Sequence, residues 1–213
     1  MKHIFWRGAF YCTGVAMISL GITLNTKTGL GLSAITSLPY SAANALGCSF
    51  STALFWFYIA CVVLQLALKR KKSGWRDILQ LPLSAVFSAI QGWFGQVIRL
   101  DFTAFWQPYA ALAAAVVFTG AGVFMMVNMD LVPAPADGVP YVIGNATGKS
   151  MGFIKNMMDG SCVLGALAID LLFAGRVVSI GVGTIVVMLF TGRVIAVCDM
   201  LFKEKVRKLA GLL

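Results

Sequence analysis

The chain has 213 residues, 59% of them hydrophobic and only 12% charged, and it carries a formal net charge of +9. A soluble domain is about half apolar and a quarter charged, so this composition excludes an ordinary water-soluble fold and leaves no stretch for a separate soluble domain. The positive balance would suit nucleic acid, but its confinement to the ends of apolar runs argues against that partner.

Residues 5–24 form the first apolar run. They follow Lys2 and Arg7, as the core of a secretory signal would, but show no small-x-small cleavage pattern and belong to a repeat described below. They read as a retained membrane span. Residues 26–50 (TKTGLGLSAITSLPYSAANALGCSF) are too apolar for a solvated loop and too broken by Gly and Pro for a plain span. They predict a short re-entrant helix ending near Gly47. Residues 51–68 are a second span, followed by the basic run Lys69, Arg70, Lys71, Lys72 and Arg76; 78–98 are a third, more interrupted one. A fourth covers 104–127. Residues 127–150 then carry Pro133, Pro135, Asp137, Gly138 and Pro140 and predict a second re-entrant helix ending near Gly148. Residues 151–173 and 177–197 complete the set, with Lys203, Lys205, Arg207 and Lys208 beyond. At 1.5 Å per residue each run can cross a hydrocarbon core of roughly 30 Å.

With six spans, most of the 17 Lys and Arg fall on one side: Lys2, Arg7, the run after the second span and the cluster after the sixth. Lys27, Arg99 and Arg176 fall opposite, while Lys149, Lys155 and Arg193 lie within or close to spans. The asymmetry places both termini in the cytoplasm. It also gives the lipid bilayer, with its anionic headgroups, as the partner of the basic clusters.

A shift of 101 positions superposes Pro39-Tyr40 on Pro140-Tyr141, Asn44 on Asn145 and Gly47 on Gly148, so both copies read P-Y-x-x-x-N-x-x-G. Gly21 also meets Gly122, and Cys61-Val62 meets Cys162-Val163. Pro, Tyr and Asn are scarce here, and their joint recurrence without a gap marks a duplication. Each copy holds three spans, an odd number, so the second must enter from the opposite face. The expected fold is therefore an all-α membrane protein: six transmembrane helices as two inverted three-span repeats, each with a re-entrant or broken helix. It forms a single transmembrane domain over 1–213, with repeats at about 1–100 and 101–213. Such inverted repeats are characteristic of secondary transporters, with the site at the repeat interface near the midplane. Irregular backbone at membrane depth needs protein or a wet cavity to satisfy it. Interfacial helices that merely connect spans are the alternative.

Ionisable residues within spans are functional candidates by default. Arg193 and Asp159 reach similar depths on consecutive spans and are expected to pair, with Lys155 one turn from Asp159 on the same face. Asp137 opens the second re-entrant helix. Thr36, Tyr40 and Asn44 in the first copy, with Tyr141 and Asn145 in the second, complete a candidate binding site of neutral hydrogen-bonding groups, in which Arg193 would suit an anion. A set of charges that only staples helices together is the alternative reading of Lys155, Asp159 and Arg193.

The L-P-Y at 38–40, the A-P-A-D at 134–137, the K-x-x-x-D at 155–159 and the I-G-V-G-T-I at 180–185 resemble the bacterial YczE/YitT-type membrane proteins, over nearly the whole chain. The length resembles the YczE-like branch, which lacks a soluble C-terminal domain. The resemblance implies a multi-pass protein of the bacterial plasma membrane whose molecular function is unassigned. Members carry Pro-x-Asp in each half. Here the second half has Pro135-Ala136-Asp137, but the first reads Ala34-Ile35-Thr36, with Thr36 in place of the acid.

Nothing points to an enzyme or to a cofactor. The one histidine is His3, at the extreme N-terminus, and no HExxH, phosphate loop or Ser/His arrangement is present. The five cysteines lack paired spacing and read as small buried hydrophobes. Gly and Ala from Ala110 to Gly122 allow close helix packing within or between chains, which leaves a homo-oligomer open. The leading expectation is a small secondary transporter moving a small polar or anionic solute by alternating access. A non-transporting membrane scaffold or accessory subunit is the alternative, distinguished by a dry interior.

Overall fold

The computed structural model describes residues 2–69, 74–132, 134–149 and 151–212; at Lys2, Arg76, Tyr141, Asn145, Met151 and Gly152 it describes the backbone only. Arg70, Lys71 and Lys72 of the basic run, and Pro133, lie outside the described residues. Within them the chain is helical, without strands: α1 (Lys2–Lys27), α2 (Ala34–Leu46), α3 (Phe50–Lys69), α4 (Trp75–Ile78), α5 (Gln80–Val97), α6 (Gln107–Asn128), α7 (Gly138–Thr147), α8 (Met151–Ile169) running into a π-turn (Asp170–Ala174), and α9 (Val182–Leu209). Pro82, Pro108 and Pro140 all sit in the first turn of their helices, where a missing N–H costs nothing.

Five stretches are long and apolar enough to cross a membrane: His3–Lys27, Phe50–Lys69, Gln107–Asn128, Phe153–Ala174 and Val182–Leu209. Their large apolar side chains stay exposed, among them Trp56, Leu64, Leu164, Leu172, Ile185 and Met188, as helices facing lipid require. The expected third span is a helix, but α5, of 18 residues, is diluted by Gln80, Gln91 and Gln96 and falls short of the others in apolar character. The chain is thus a multi-pass membrane protein with five span-grade helices. The sixth expected run, 177–197, begins later as a helix and continues through its basic end as α9, 28 residues long.

Helix boundaries recur at the 101-residue offset. α1 ends at Lys27 and α6 at Asn128; α3 starts at Phe50 and α8 at Met151. The short helices α2 and α7 end at Gly47 and Gly148, whose φ of 65° and 69° lies in the left-handed region that glycine adopts without strain. At 13 and 10 residues they measure about 20 and 15 Å, too short to span.

Contacts divide the chain into two compact units, and neither follows a repeat. The first holds Met1–Leu32, Trp93–Leu131 and Val182–Leu213; the second holds Ser33–Gly92 and Val132–Gly181.

In the first unit α1 packs on α6 and α6 on α9. A Cβ at Gly14 would lie 2.8 Å from the Gly122 carbonyl oxygen, one at Gly122 would lie 2.7 Å from that of Gly14, and one at Gly21 would lie 2.8 Å from that of Ala115. As α1 advances from 14 to 21, its partners on α6 retreat from 122 to 115, so the two helices run antiparallel. The 101 shift converts Gly14 to Ala115 and Gly21 to Gly122, which makes these contacts mates of each other. Leu112, Val116 and Val187 close one end of the interior, and Phe124, Met129, Val206 and Ala210 the other. At the second end Arg7 donates to the Met129 carbonyl (2.8 Å), Arg207 pairs with Asp130 (3.3 Å), and Asn128 donates to Asp199 (2.8 Å).

In the second unit α2 packs on α3 and α8, and α7 on α3 and α8. Each short helix thus touches the long helix of both repeats. Gly165 of α8 admits Leu38 of α2, whose Cδ1 would stand 2.9 Å from a Cβ there.

Candidate functional site

All but one of the residues expected to form the site lie in the second unit; the exception is Arg193. Asp137 ends the turn before α7, its N–H bonded to the Ala134 carbonyl at 3.0 Å, and sits at the N-cap of that helix. Lys155 projects from α8 and donates to Asp137 Oδ1 at 2.6 Å. Asp159, one turn further along α8, is half-buried within electrostatic reach of both and has no ion-pair partner among the described residues. Tyr58 and Cys61 of α3 are buried within electrostatic reach of Asp137.

The remaining expected residues are placed otherwise. Thr36, 2% exposed, bonds Ser33 through its hydroxyl (2.8 Å to Oγ, 3.1 Å to the carbonyl), so it stabilises the first turn of α2. Tyr40 stacks edge-on against Phe50 at 5.6 Å, and Asn44, near the C-terminal end of α2, is exposed. The side chains of Tyr141 and Asn145 lie outside the described residues. Arg193 belongs to the first unit, where it is exposed and lies 5.3 Å over the Phe190 ring. Within its own unit each thus stands beside a different group, Arg193 over the Phe190 ring and Asp159 near the Lys155 ammonium.

A polar constellation that was not expected lies beside Asp137. The buried face of α5 is Gln80, Ser84, Phe87, Ser88 and Gln91. Ser84 and Ser88 return their hydroxyls to the carbonyls one turn back, at 2.7 and 2.8 Å. Gln80 is fully buried, and among the described residues neither its amide nitrogen nor its oxygen has a hydrogen-bond partner. Gln65 of α3, 1% exposed, donates its amide nitrogen to Asp77 Oδ1 at 2.7 Å, while its oxygen has no donor among the described residues. A Cβ at Gly138, the first residue of α7, would collide with the Gln65 amide and lie 3.2 Å from Gln80 Oε1. The signal was present in the sequence: 80, 84, 88 and 91 fall on one helical stripe.

Asp77 ties this cluster to the turn after α3. Lys69 Nζ reaches it at 2.7 Å and the Gly74 N–H at 2.9 Å. Burial works against its ionisation, yet the Lys69 ammonium, the Gly74 N–H and the Gln65 amide together hold the carboxyl below the ordinary aspartate value. The equivalent turn after α8 is closed by Asp170, which accepts from the Val178 N–H (2.8 Å) and from the Ser179 N–H and hydroxyl (both 2.9 Å), while Ser41 bonds Ser179 at 2.8 Å. Positions 69 and 170, and 77 and 178, differ by 101. Among the described residues no group of three or more His, Cys, Asp or Glu is arranged to hold a metal, and all five cysteines are free thiols, Cys61 and Cys162 buried.

The sequence profile of the family of unknown function DUF6198 matches residues 5–200. The chain belongs to that family. No curated protein and no solved structure matches it.

Proposed function

We infer that this DUF6198 protein is a small secondary transporter that moves a small polar solute across a bacterial plasma membrane by alternating access, with both termini cytoplasmic. The observation that carries the reading is Gln80: a carboxamide with no exposed surface and no partner among the described residues, beside an Asp137–Lys155 pair. Leaving a buried amide unpaired costs about 1–3 kcal/mol, a cost a membrane scaffold has no reason to retain and a solute site recovers on binding. The interior of the second unit is built from both halves of the chain, as a site at a repeat interface should be.

Inverted repeats fit the same residues. The equivalent helices α1 and α6 run antiparallel through mate contacts, and α2 and α7 are equivalent short helices with equivalent glycine caps. These features support six membrane-crossing helices, with α5 tolerated as a polar span because its Gln80 and Gln91 amides are buried in protein, and with α2 and α7 re-entrant from opposite faces. The solute is polar but need not be anionic, because Arg193 lies over Phe190 in the first unit.

The test has two parts. Thermal unfolding of the purified protein against a library of small metabolites should yield ligands that raise the midpoint by mass action, and those ligands should cross proteoliposomes only when the protein is present. Ligands that bind without flux would contradict transport. For topology, in a variant free of native cysteines, cysteine at Thr26 should react with an impermeant thiol reagent from outside and cysteine at Ser73 should not.

A further inference from the structure

Resting on that reading, we propose that two buried aspartates anchor the opposing gates of the second unit: Asp77, through Gln65, closes α7 on α3, and Asp170, through Ser179, closes α2 on the end of α8. A carboxylate only accepts hydrogen bonds, which orients each chain of groups from its anchor outward. Gln65 gives Asp77 its NH2 (2.7 Å), so its oxygen turns toward α7 and occupies the place that a Cβ at Gly138 would take. Only glycine lets the first residue of α7 rest against that amide. At the other anchor Ser179 gives Asp170 both its N–H and its hydroxyl proton (2.9 Å each), which leaves the Ser179 oxygen to accept from Ser41 of α2 at 2.8 Å. Asp77, Gln65, Asp170, Ser179 and Ser41 are all buried.

The two contacts are counterparts. They lie at equivalent ends of α3 and α8, near Lys69 and its mate Asp170, and each fastens the short helix of one repeat to the end of the long helix of the other. Inverted repeats put such counterparts on opposite sides of the membrane, the first toward the cytoplasm and the second toward the exterior, and alternating access needs one closure on each side. No charge pair crosses either contact. Lys69 and the Gly74 N–H hold Asp77 from its own side, so what meets the short helix is one neutral group, the Gln65 amide or the Ser179 hydroxyl. Such a contact can part and re-form, because water replaces a neutral hydrogen bond at modest net cost. The two differ in completeness. The chain Ser41–Ser179–Asp170 is satisfied, whereas Gln65 Oε1 and both polar atoms of Gln80 beside it have no partner among the described residues. Water entering at Gly138 bonds all three, so the cytoplasmic gate is the more readily opened.

The full chain, free of native cysteines and reconstituted in vesicles of known orientation, tests this with an impermeant thiosulfonate. Gln80→Cys reports the first contact. Ser37→Cys, one turn from Ser41 on the same face of α2, reports the second, and both positions are fully buried. With no further change, the thiol at 80 should react from the cytoplasmic side faster than the thiol at 37 does from the exterior. Gln65→Ala and Gly138→Ala disturb the first contact from its two partners. Each should speed reaction at 80 from the cytoplasmic side by about fivefold to tenfold, the population shift that goes with one net hydrogen bond, and leave 37 unchanged. Ser41→Ala should speed reaction at 37 from the exterior and leave 80 unchanged. Faster reaction at both reporters from both sides, or no change in any variant, would overturn the gates. Flux in proteoliposomes separates this from the transport reading: sided reactivity without flux of any ligand that binds defeats transport and leaves the two closures, while flux that Gly138→Ala and Ser41→Ala leave unchanged defeats the gates alone.

Discussion

In the first unit α1 and α6 touch through the backbones of Gly14 and Gly122, and the interior around them is closed by Leu112, Val116, Phe124 and Met129. In the second unit the interior holds Gln65, Gln80, Ser84 and Gln91, with Asp137 and Lys155 beside them. Both interiors bury polar groups, Ser19, Thr23 and Asn25 in the first unit and Gln65, Gln80 and Gln91 in the second. Close packing, which in lipid replaces the hydrophobic drive between helices, dominates the first, and long amides, whose desolvation is unfavourable, mark the second. The difference teaches a division of labour: the first unit's tightest contacts are backbone against backbone, with Arg7, Asp130 and Arg207 tying one end, whereas the second keeps the Asp137–Lys155 pair beside its buried amides. A frame that only needs to be rigid can be dry. A unit that handles a polar solute cannot.

The largest effect should come from breaking the first unit's contact. Gly14→Leu has only backbone to push against, so it should cost about 3 kcal/mol or more. Gly160→Ala in α8, with open space at its Cβ, should instead gain about 0.5–1 kcal/mol through helix propensity. Thermal unfolding in detergent compares them, and equal outcomes would deny that glycine packing holds the first unit together.

Next is the Asp137–Lys155 pair, whose side chains are 28% and 42% exposed. That exposure puts each single loss, Asp137→Asn or Lys155→Gln, between the buried and surface limits, about 1–3 kcal/mol. The double variant should recover part of it, because neither charge is then left alone. Additive losses would mean that the two residues act independently.

Gln80→Leu should change stability in the opposite sense, raising that of the ligand-free protein by about 1 kcal/mol, since an apolar group of similar size removes an unpaired amide. A marked loss would reveal that the amide is already satisfied. The smallest effect is pH-linked. Asp77 is held below its ordinary value, so its contribution is present above the usual aspartate range and is lost as pH falls through the lowered value. The unfolding midpoint of the wild type should therefore drop more steeply on acidification than that of Asp77→Asn.

Much of the frame was legible. Apolar runs located the long helices, and the P-Y-x-x-x-N-x-x-G repeat located both short ones with their glycine ends, because a left-handed cap leaves a residue-level trace. Asp137 and Lys155 were legible too, since charges in apolar runs stand out. For Arg193 the depth was readable and the helix face was not. Tyr40 packs on Phe50 and Asn44 is exposed near the end of α2, placements that recurrence alone does not give. Gln80, Ser84, Ser88 and Gln91 were missed because uncharged polar residues only dilute an apolar run; their common face emerges once the helical period is laid over them.

The central claim is that the interior of the second unit can be reached from water while that of the first cannot. Substituted cysteines test it directly, in a variant whose native Cys12, Cys48, Cys61, Cys162 and Cys198 are replaced. Gln80→Cys, buried in the second unit, should react with a small water-soluble thiosulfonate as the protein opens, and Val116→Cys, equally buried in the first, should stay unmodified over the same time. A thiol at position 80 as inert as the one at position 116 would contradict the account and return the protein to a dry scaffold.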